Sequence, residues 1–311
     1  MTAHSQLTLE DLKLAPARRR RERVIGALFF MSATLAIVIS VAIVLSLLGD
    51  TITFIQGIDT GALLAEVWQP RSGEYGLATI VSGTLVIAVI AMLVATPLGL
   101  GAAIYLAEYA SPRARGWLKP ILEILATIPS VVLGFFALTV LSPALIQNVC
   151  PGNTPVFTMA SAGVAVGILI TPLIASISED AMYAVPNSLR EASYGLGASK
   201  RTTSIRIVVP AAVSGIVASL IVAFSRAVGE TMIVSLAAGG VGGAVFSLNP
   251  CLPGQTMTGA MTVIAIGSDA VGGGVAFQSL FFVGLLLFFT TLVLNLISES
   301  FVRRMRKGYQ A

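Results

Sequence analysis

The sequence has little of what most enzymatic and metal chemistry requires. Histidine occurs once, at His4, and cysteine twice, which leaves no ligand set for a zinc site of the usual kind. Charged residues make up 11% of the 311-residue chain, against roughly a quarter in a soluble domain, so a water-soluble globule is excluded. There is no G-x-x-x-x-G-K-[ST] loop, no G-x-G-x-x-G fingerprint and no nucleophile elbow. No catalytic residue and no cofactor is expected, and any ATP-driven work must draw on a separate ATPase chain.

What the chain has in abundance is apolar sequence: 56% of it is hydrophobic. Six runs are long enough to cross a hydrocarbon core, which takes about 20 helical residues. They lie near Val24 to Leu48, Ile80 to Tyr105, Ile121 to Ile146, Met159 to Ile177, Ala211 to Ala237 and Ala276 to Ile297. A β-barrel would need short alternating segments instead. The expected fold is therefore all-α with six transmembrane helices in contact with lipid. The first run is too long for a signal-peptide core and is read as a retained helix.

Cations set the orientation. Lys13, Arg18 to Arg21 and Arg23 precede the first run; Arg113, Arg115 and Lys119 follow the second; Arg190, Lys200, Arg201 and Arg206 follow the fourth; Arg303, Arg304, Arg306 and Lys307 end the chain. With six spans all of these fall on one side, which the positive-inside rule makes the cytoplasm. Both termini are then cytoplasmic, in a plasma (inner) membrane. Residues 1–23 form a lead, in which Leu7 to Leu14 is either a short amphipathic turn or disordered, 24–302 the six-helix domain and 303–311 a basic tail. The net charge of +4 reflects these flanks, and nucleic acid is not an expected partner.

On the outer side, Asp50, Asp59, Glu66 and Glu74 face Arg71 in the first connection and Asp269 stands in the last. The segment from Gly49 to Ala78 is long enough to be ordered, and the Gly-rich stretch over 238–275 reads as a gate or a re-entrant turn. Cys150 and Cys251 both fall in outer loops, where they are either bridged or two free thiols.

Three features interrupt the apolar runs. Pro129-Ser130 lies inside the third, where a missing N–H makes either a hinge lining a path or a packing kink. Glu123 in the same run either pairs with an inner cation or snorkels to water. "SRAVGETMIV" (Ser225 to Val234) puts Arg226 and Glu230 inside the fifth run, where a central Arg costs roughly 2.5–3.5 kcal/mol even on the lenient insertion scale. A helical i, i+4 pair recovers only a few tenths of a kcal/mol. The remaining readings are a register device between helices and a translocation path, in which the Arg226 fork meets an oxyanion and Glu230 holds or releases it.

Between the fourth and fifth runs lies the longest polar segment, 178–209, with short helices expected parallel to the membrane, one of them over Leu189 to Leu196. Its "EASYGLGASKRTTSIRIVVP" (Glu191 to Pro210) resembles the EAA loop of ABC-importer permeases, through Glu191-Ala192, Gly197, Ile207 and Pro210. Ser193 and Val209 depart from the usual Ala and Leu. The resemblance implies that Glu191, Ala192, Ser193 and Gly197 meet an ATPase. Pro210 is expected to start the fifth span, where a missing N–H costs nothing.

"PLGLGAAIYLAEYA", "ILATIPSVVLGFFAL", "SRAVGETMIV" and "LFFVGLLLFFTTLVLNLI" are similar to PstC-type permeases of phosphate importers. Met232-Ile233-Val234 separates the chain from the sister PstA type. The resemblance implies a type I ABC-importer permease for inorganic phosphate, paired with a PstA-type permease on an ATPase homodimer and fed by an extracytoplasmic phosphate-binding protein. It also implies a transport role for Arg226 and Glu230. A permease for sulfate or molybdate is the nearest alternative; a stand-alone carrier or channel would not need the EAA-like loop.

Overall fold

The computed structural model describes residues 16–150, 152, 154–240, 244–267 and 274–309. The expected turn over Leu7 to Leu14, with His4 and Asp269, lies outside them. Among the described residues, five helices are long and apolar enough to cross a membrane, six if one bent pair counts as a single span.

The chain divides after Gly49 into two compact units. The first is the leading part of α1 (Pro16–Gly57), an unbroken helix of 42 residues. Ser32, Thr34 and Ser40 each donate to the carbonyl four residues earlier, at 2.8–2.9 Å. Such internal bonds let hydroxyls sit in a medium without water.

The second unit opens with the end of α1 and an antiparallel ribbon of β1 (Trp68–Gln69) and β2 (Glu74–Tyr75), with Trp68 opposite Tyr75. Then follow α2 (Leu77–Tyr109), α3 (Pro112–Leu125), α4 (Ser130–Val149), α5 (Met159–Tyr183), α6 (Asn187–Gly195), α7 (Lys200–Ala211), α8 (Val213–Val228), α9 (Met232–Ala237), α10 (Met257–Ile266) and α11 (Val275–Tyr309). The Gly49 to Ala78 connection is ordered: Trp68, Tyr75 and Phe54 are buried with Ile80, Met257, Ala260, Ile264 and Val283. Burial also pushes the Tyr75 phenol above its ordinary pKa.

The centre of the unit is the contact between α2 and α5. A Cβ on Gly163 would stand 2.7 Å from Cβ of Ile90, and one on Gly167 would stand 2.8 Å from Cβ of Val94. Ala88, Ala91, Ala95, Ala162 and Ala165 are fully buried around that seam. Because 163 matches 90 and 167 matches 94, the two helices run in the same direction. Lipid supplies no hydrophobic drive between helices, so small residues that let backbones approach hold such a pair by dispersion.

Two of the six expected runs are interrupted. The third is two helices: Pro129 has no N–H and its ring would strike the Leu125 carbonyl, so α3 stops at Leu125 and Pro129 caps α4 with φ −57° and ψ 129°. Pro129 is thus a junction between helices rather than a kink within one. Residues 112–125 form an amphipathic helix started by Ser111, whose hydroxyl accepts from the Ala114 N–H at 3.2 Å. The fifth run breaks at Gly229–Thr231, and α7 meets α8 at a 70° bend. Pro210 therefore lies just before the bend, inside α7, and does not begin the span.

Cys150, after α4, is disulfide-bonded to Cys251, with Cα atoms 5.8 Å apart. Next to that bond, the carbonyls of Leu252 and Pro250 accept from the Met159 and Ala160 N–H groups at 3.0 and 2.8 Å. These are free donors of the first turn of α5, and the loop carrying Cys251 caps them.

If the α2–α5 seam carries the fold, Gly167→Val should lower the stability of the detergent-solubilised protein by about 1–3 kcal/mol through overpacking. Gly101→Ala, where a Cβ meets nothing within 4 Å, should be neutral or stabilising by up to about 1 kcal/mol. Thermal unfolding of the two variants side by side distinguishes them; equal midpoints would refute the assignment.

Candidate functional site

Gly229, Glu230 and Thr231 interrupt an otherwise apolar helix, and the local chemistry accounts for the stop. Gly is a poor helix former and Thr is β-branched. The ladder tightens, with the Gly229 N–H on the Ser225 carbonyl at 3.2 Å and the Glu230 N–H on the Ala227 carbonyl at 3.3 Å. Arg226 sits in the last turn of α8 and Glu230 in the break, so they are not partners on one continuous helix.

Arg226 Nη1 is 3.0 Å from Glu230 Oε2, and the side chains are 50% and 3% exposed. That oxygen has no hydrogen bond of acceptable geometry, so the pair is held by charge, and among the described residues the guanidinium makes no hydrogen bond. The break is pinned from one side: Thr258 Oγ1 donates to the Glu230 carbonyl at 2.7 Å. Thr258 lies in the first turn of α10, whose Met257 N–H donates to Thr84 Oγ1 of α2 at 3.0 Å. Gln255, just before α10, is 3% exposed and its Oε1 has no hydrogen-bond partner among the described residues. The outcome is a cation on an interrupted helix, backed by buried polar groups from α2 and α10.

Pro129 and Ser130 make no hydrogen bond or ion pair with Arg226 or Glu230 among the described residues. They lie on a packed neighbour nonetheless. A Cβ on Gly134, in the first turns of α4, would stand 3.3 Å from Cα of Ile233 in α9. The two helix discontinuities therefore belong to elements that touch. Glu123 is exposed on α3.

The EAA-like segment folds as α6 and α7 joined by a tight turn. Gly197 takes φ +80°, a left-handed conformation that costs any other residue about 1–2 kcal/mol. Glu191, Ala192 and Gly197 are exposed, and Leu196 projects with 90% of its surface free. Ser193 is turned the other way. It is buried, its Oγ is 2.9 Å from Thr203 Oγ1 of α7, and it joins the two short helices instead of facing outward.

Two buried carboxylates went unnoticed in the sequence. Glu179, fully buried near the end of α5, pairs with Arg115 and with Lys119 of α3, the latter at 2.7 Å; Lys119 also reaches Asp180 at 2.6 Å. The Arg115 guanidinium lies 3.8 Å over the Tyr183 ring. Burial alone would lower the Lys119 pKa, but the hydrogen bonds to Asp180 and Glu179 outweigh it and hold the ammonium above its ordinary value. Glu108, in the last turn of α2, pairs with Arg190 of α6 at 2.8 Å. The available signal was a carboxylate at the polar end of an apolar run followed by unassigned cations. "LAEYA" and "SEDAM" both have it.

Residues 95–307 match the family described as binding-protein-dependent transport system inner membrane component. A phosphate transport system permease protein PstC of Haemophilus influenzae is 31% identical over 296 residues, covering 88% of this chain and 91% of that protein. A probable ABC transporter permease protein, YqgH of Bacillus subtilis, is 31% identical over 236 residues, covering 74% and 76%. The fold is similar to that of a bacterial alginate ABC transporter crystallised with its alginate-bound periplasmic protein, at TM-score 0.64 and 15% identity over 92% of this chain and 96% of that one. It is also similar to the inward-facing MetNI methionine ABC transporter, at TM-score 0.55 and 17% identity over 72% and 93%. The apolar spans and the matched residues agree: the chain belongs to the family of inner-membrane permease components of binding-protein-dependent ABC transport systems.

Proposed function

We propose that this chain is the PstC-type permease of an ATP-driven importer of inorganic phosphate. It would form the translocation path with a PstA-type partner permease, on an ATPase homodimer and beneath an extracytoplasmic phosphate-binding protein. The relatives named PstC support the substrate. The basic flanks support an orientation with α3, α6, α7 and both termini in the cytoplasm of a bacterial cell.

One observation carries the mechanism: a half-exposed Arg226 at a helix break, backed by a buried Glu230. A guanidinium fork matches a tetrahedral oxyanion, and an aqueous path is where a membrane protein tolerates an interrupted helix. Glu230 would repel phosphate directly. Its part is to neutralise Arg226 between transport events and to yield it when the anion arrives. Pro129 and Ser130, on the helix that touches α9, would line the same path or let it flex. Glu191, Ala192 and Gly197 would seat in the ATPase, with the free Leu196 as an apolar anchor.

In cells with normal protein levels, Arg226→Ala should lower phosphate uptake at least about tenfold, equivalent to about 1.4 kcal/mol. Arg226→Lys should be intermediate because a point charge lacks the fork, and Glu230→Gln should also slow uptake. Wild-type uptake in all three would remove the pair from the path. Loss of assembly in place of uptake would make it a register device.

The ATPase subunit should co-purify with the wild-type chain and be lost or weakened by Glu191→Arg or Gly197→Trp. Absence of any ATPase from the wild-type preparation would sink the importer reading. In the reconstituted assembly, phosphate should stimulate ATP hydrolysis more than sulfate or molybdate; the reverse order would reassign the substrate.

A further inference from the structure

Arg190 spends its whole donor set on fixing α6 in place. Its Nε and Nη2 donate to Glu108 Oε1 at 3.1 and 2.8 Å, and Nη2 also donates to the Met182 carbonyl at 2.8 Å. Nη1 donates to the Val185 carbonyl at 2.6 Å and reaches Asn187 Oδ1 at 3.4 Å. Met182 and Val185 close the end of α5, where carbonyls lack helical partners. One guanidinium therefore joins the first turn of α6 to the ends of both α2 and α5.

The same carboxylate reaches the second short helix. Ser204 Oγ of α7 lies 3.5 Å from Glu108 Oε2, and Lys200 Nζ stands 5.1 Å from the Tyr109 ring centroid. Ser193 and Thr203 tie α6 to α7. The Glu108 and Arg190 side chains are 3% and 14% exposed, so breaking the pair would leave one of them buried and uncompensated. By contrast, the joint between α7 and α8 is a 70° bend beside Pro210, with no charged clamp across it among the described residues.

We infer that Arg190 and Glu108 are positioning residues that make α6 one rigid body with the ends of α2 and α5. A displacement of α6 then enters the α2–α5 pair first. From there it reaches α8, and with it Arg226, through the packing of α8 on α5, where Ser178 Oγ and Ser219 Oγ stand 2.7 Å apart, as well as through the bend at Ala212. This inference rests on the importer reading above.

The test uses the full permease–ATPase assembly in vesicles and reads phosphate moved per ATP hydrolysed. Tyr109→Cys with Lys200→Cys, bridged by a short bifunctional thiol reagent, leaves the clamp intact, and the native cysteines are already bonded to each other. Bridging should leave the ratio at the unbridged value. Loss of transport on bridging would show that α6 and α7 must move against α2, and would overturn the inference.

In parallel, Arg190→Gln and Glu108→Gln should keep ATP hydrolysis while the ratio falls at least about fivefold, the lower end of typical coupling between sites. A wild-type ratio in both would equally overturn it. If the single variants fail to assemble, the bridged pair alone decides. If the wild-type assembly moves no phosphate, the substrate reading fails; the same ratios, read with whichever anion stimulates hydrolysis, still judge the clamp.

Discussion

The close approach of α2 to α5 is the constraint on which the rest depends. Gly163 and Gly167 remove the side chains that would hold the backbones apart, and buried alanines fill the seam. In lipid, where apolar surface gains little by leaving the solvent, contact density of this kind is the main source of cohesion. The pair then serves as a mounting for three other features. α10 binds α2 through Thr84, α3 binds α5 through Glu179, and α6 binds the ends of both through Arg190. Each attachment is polar, directional and located on one of these two helices.

Charge is used sparingly and differently at different depths. At the basic end, Glu108 and Glu179 are each covered by cations from an amphipathic helix, and they act as fixed anchors. At the helix break the arrangement is looser, because Arg226 is half free and its contact with Glu230 lacks hydrogen-bond alignment. The Glu108–Arg190 pair, whose guanidinium donors are taken up by hydrogen bonds, resists change, whereas a guanidinium without them leaves donors available for another anion. That difference separates the scaffold from the proposed moving part more clearly than position along the chain does.

Most of the spans were legible because apolar length is a strong signal that needs no tertiary information. The misread elements share one cause, since hydropathy averages over the residues that stop helices. Ile121–Leu125 and Ser130–Ile146 are equally apolar, and only the geometry of Pro129 separates them. Gly229–Thr231 likewise vanishes in a window dominated by Val, Ile and Ala. α10 was hidden in a Gly-rich stretch because its ten residues are too few to span. Of the proposed coupling surface, Glu191, Ala192 and Gly197 are exposed. Ser193 was assigned outward from its place in the EAA-like motif, and only the partner hydroxyl of Thr203 reveals that it points in. Arg190 was counted as an orientation signal, since its partner lies 82 positions away and no local pattern connects the two.

The disulfide has a consequence in the arithmetic of membrane crossings. A bond between Cys150 and Cys251 requires both sulfurs in one compartment, so the 101 positions that separate them must cross an even number of times. α5 is one crossing. The other must be the run of α8 and α9, although it meets α7 at a 70° bend and is interrupted at Glu230. Parity thus decides what length and hydropathy leave open: the broken helix that carries Arg226 traverses the whole bilayer, and its interruption lies within that passage.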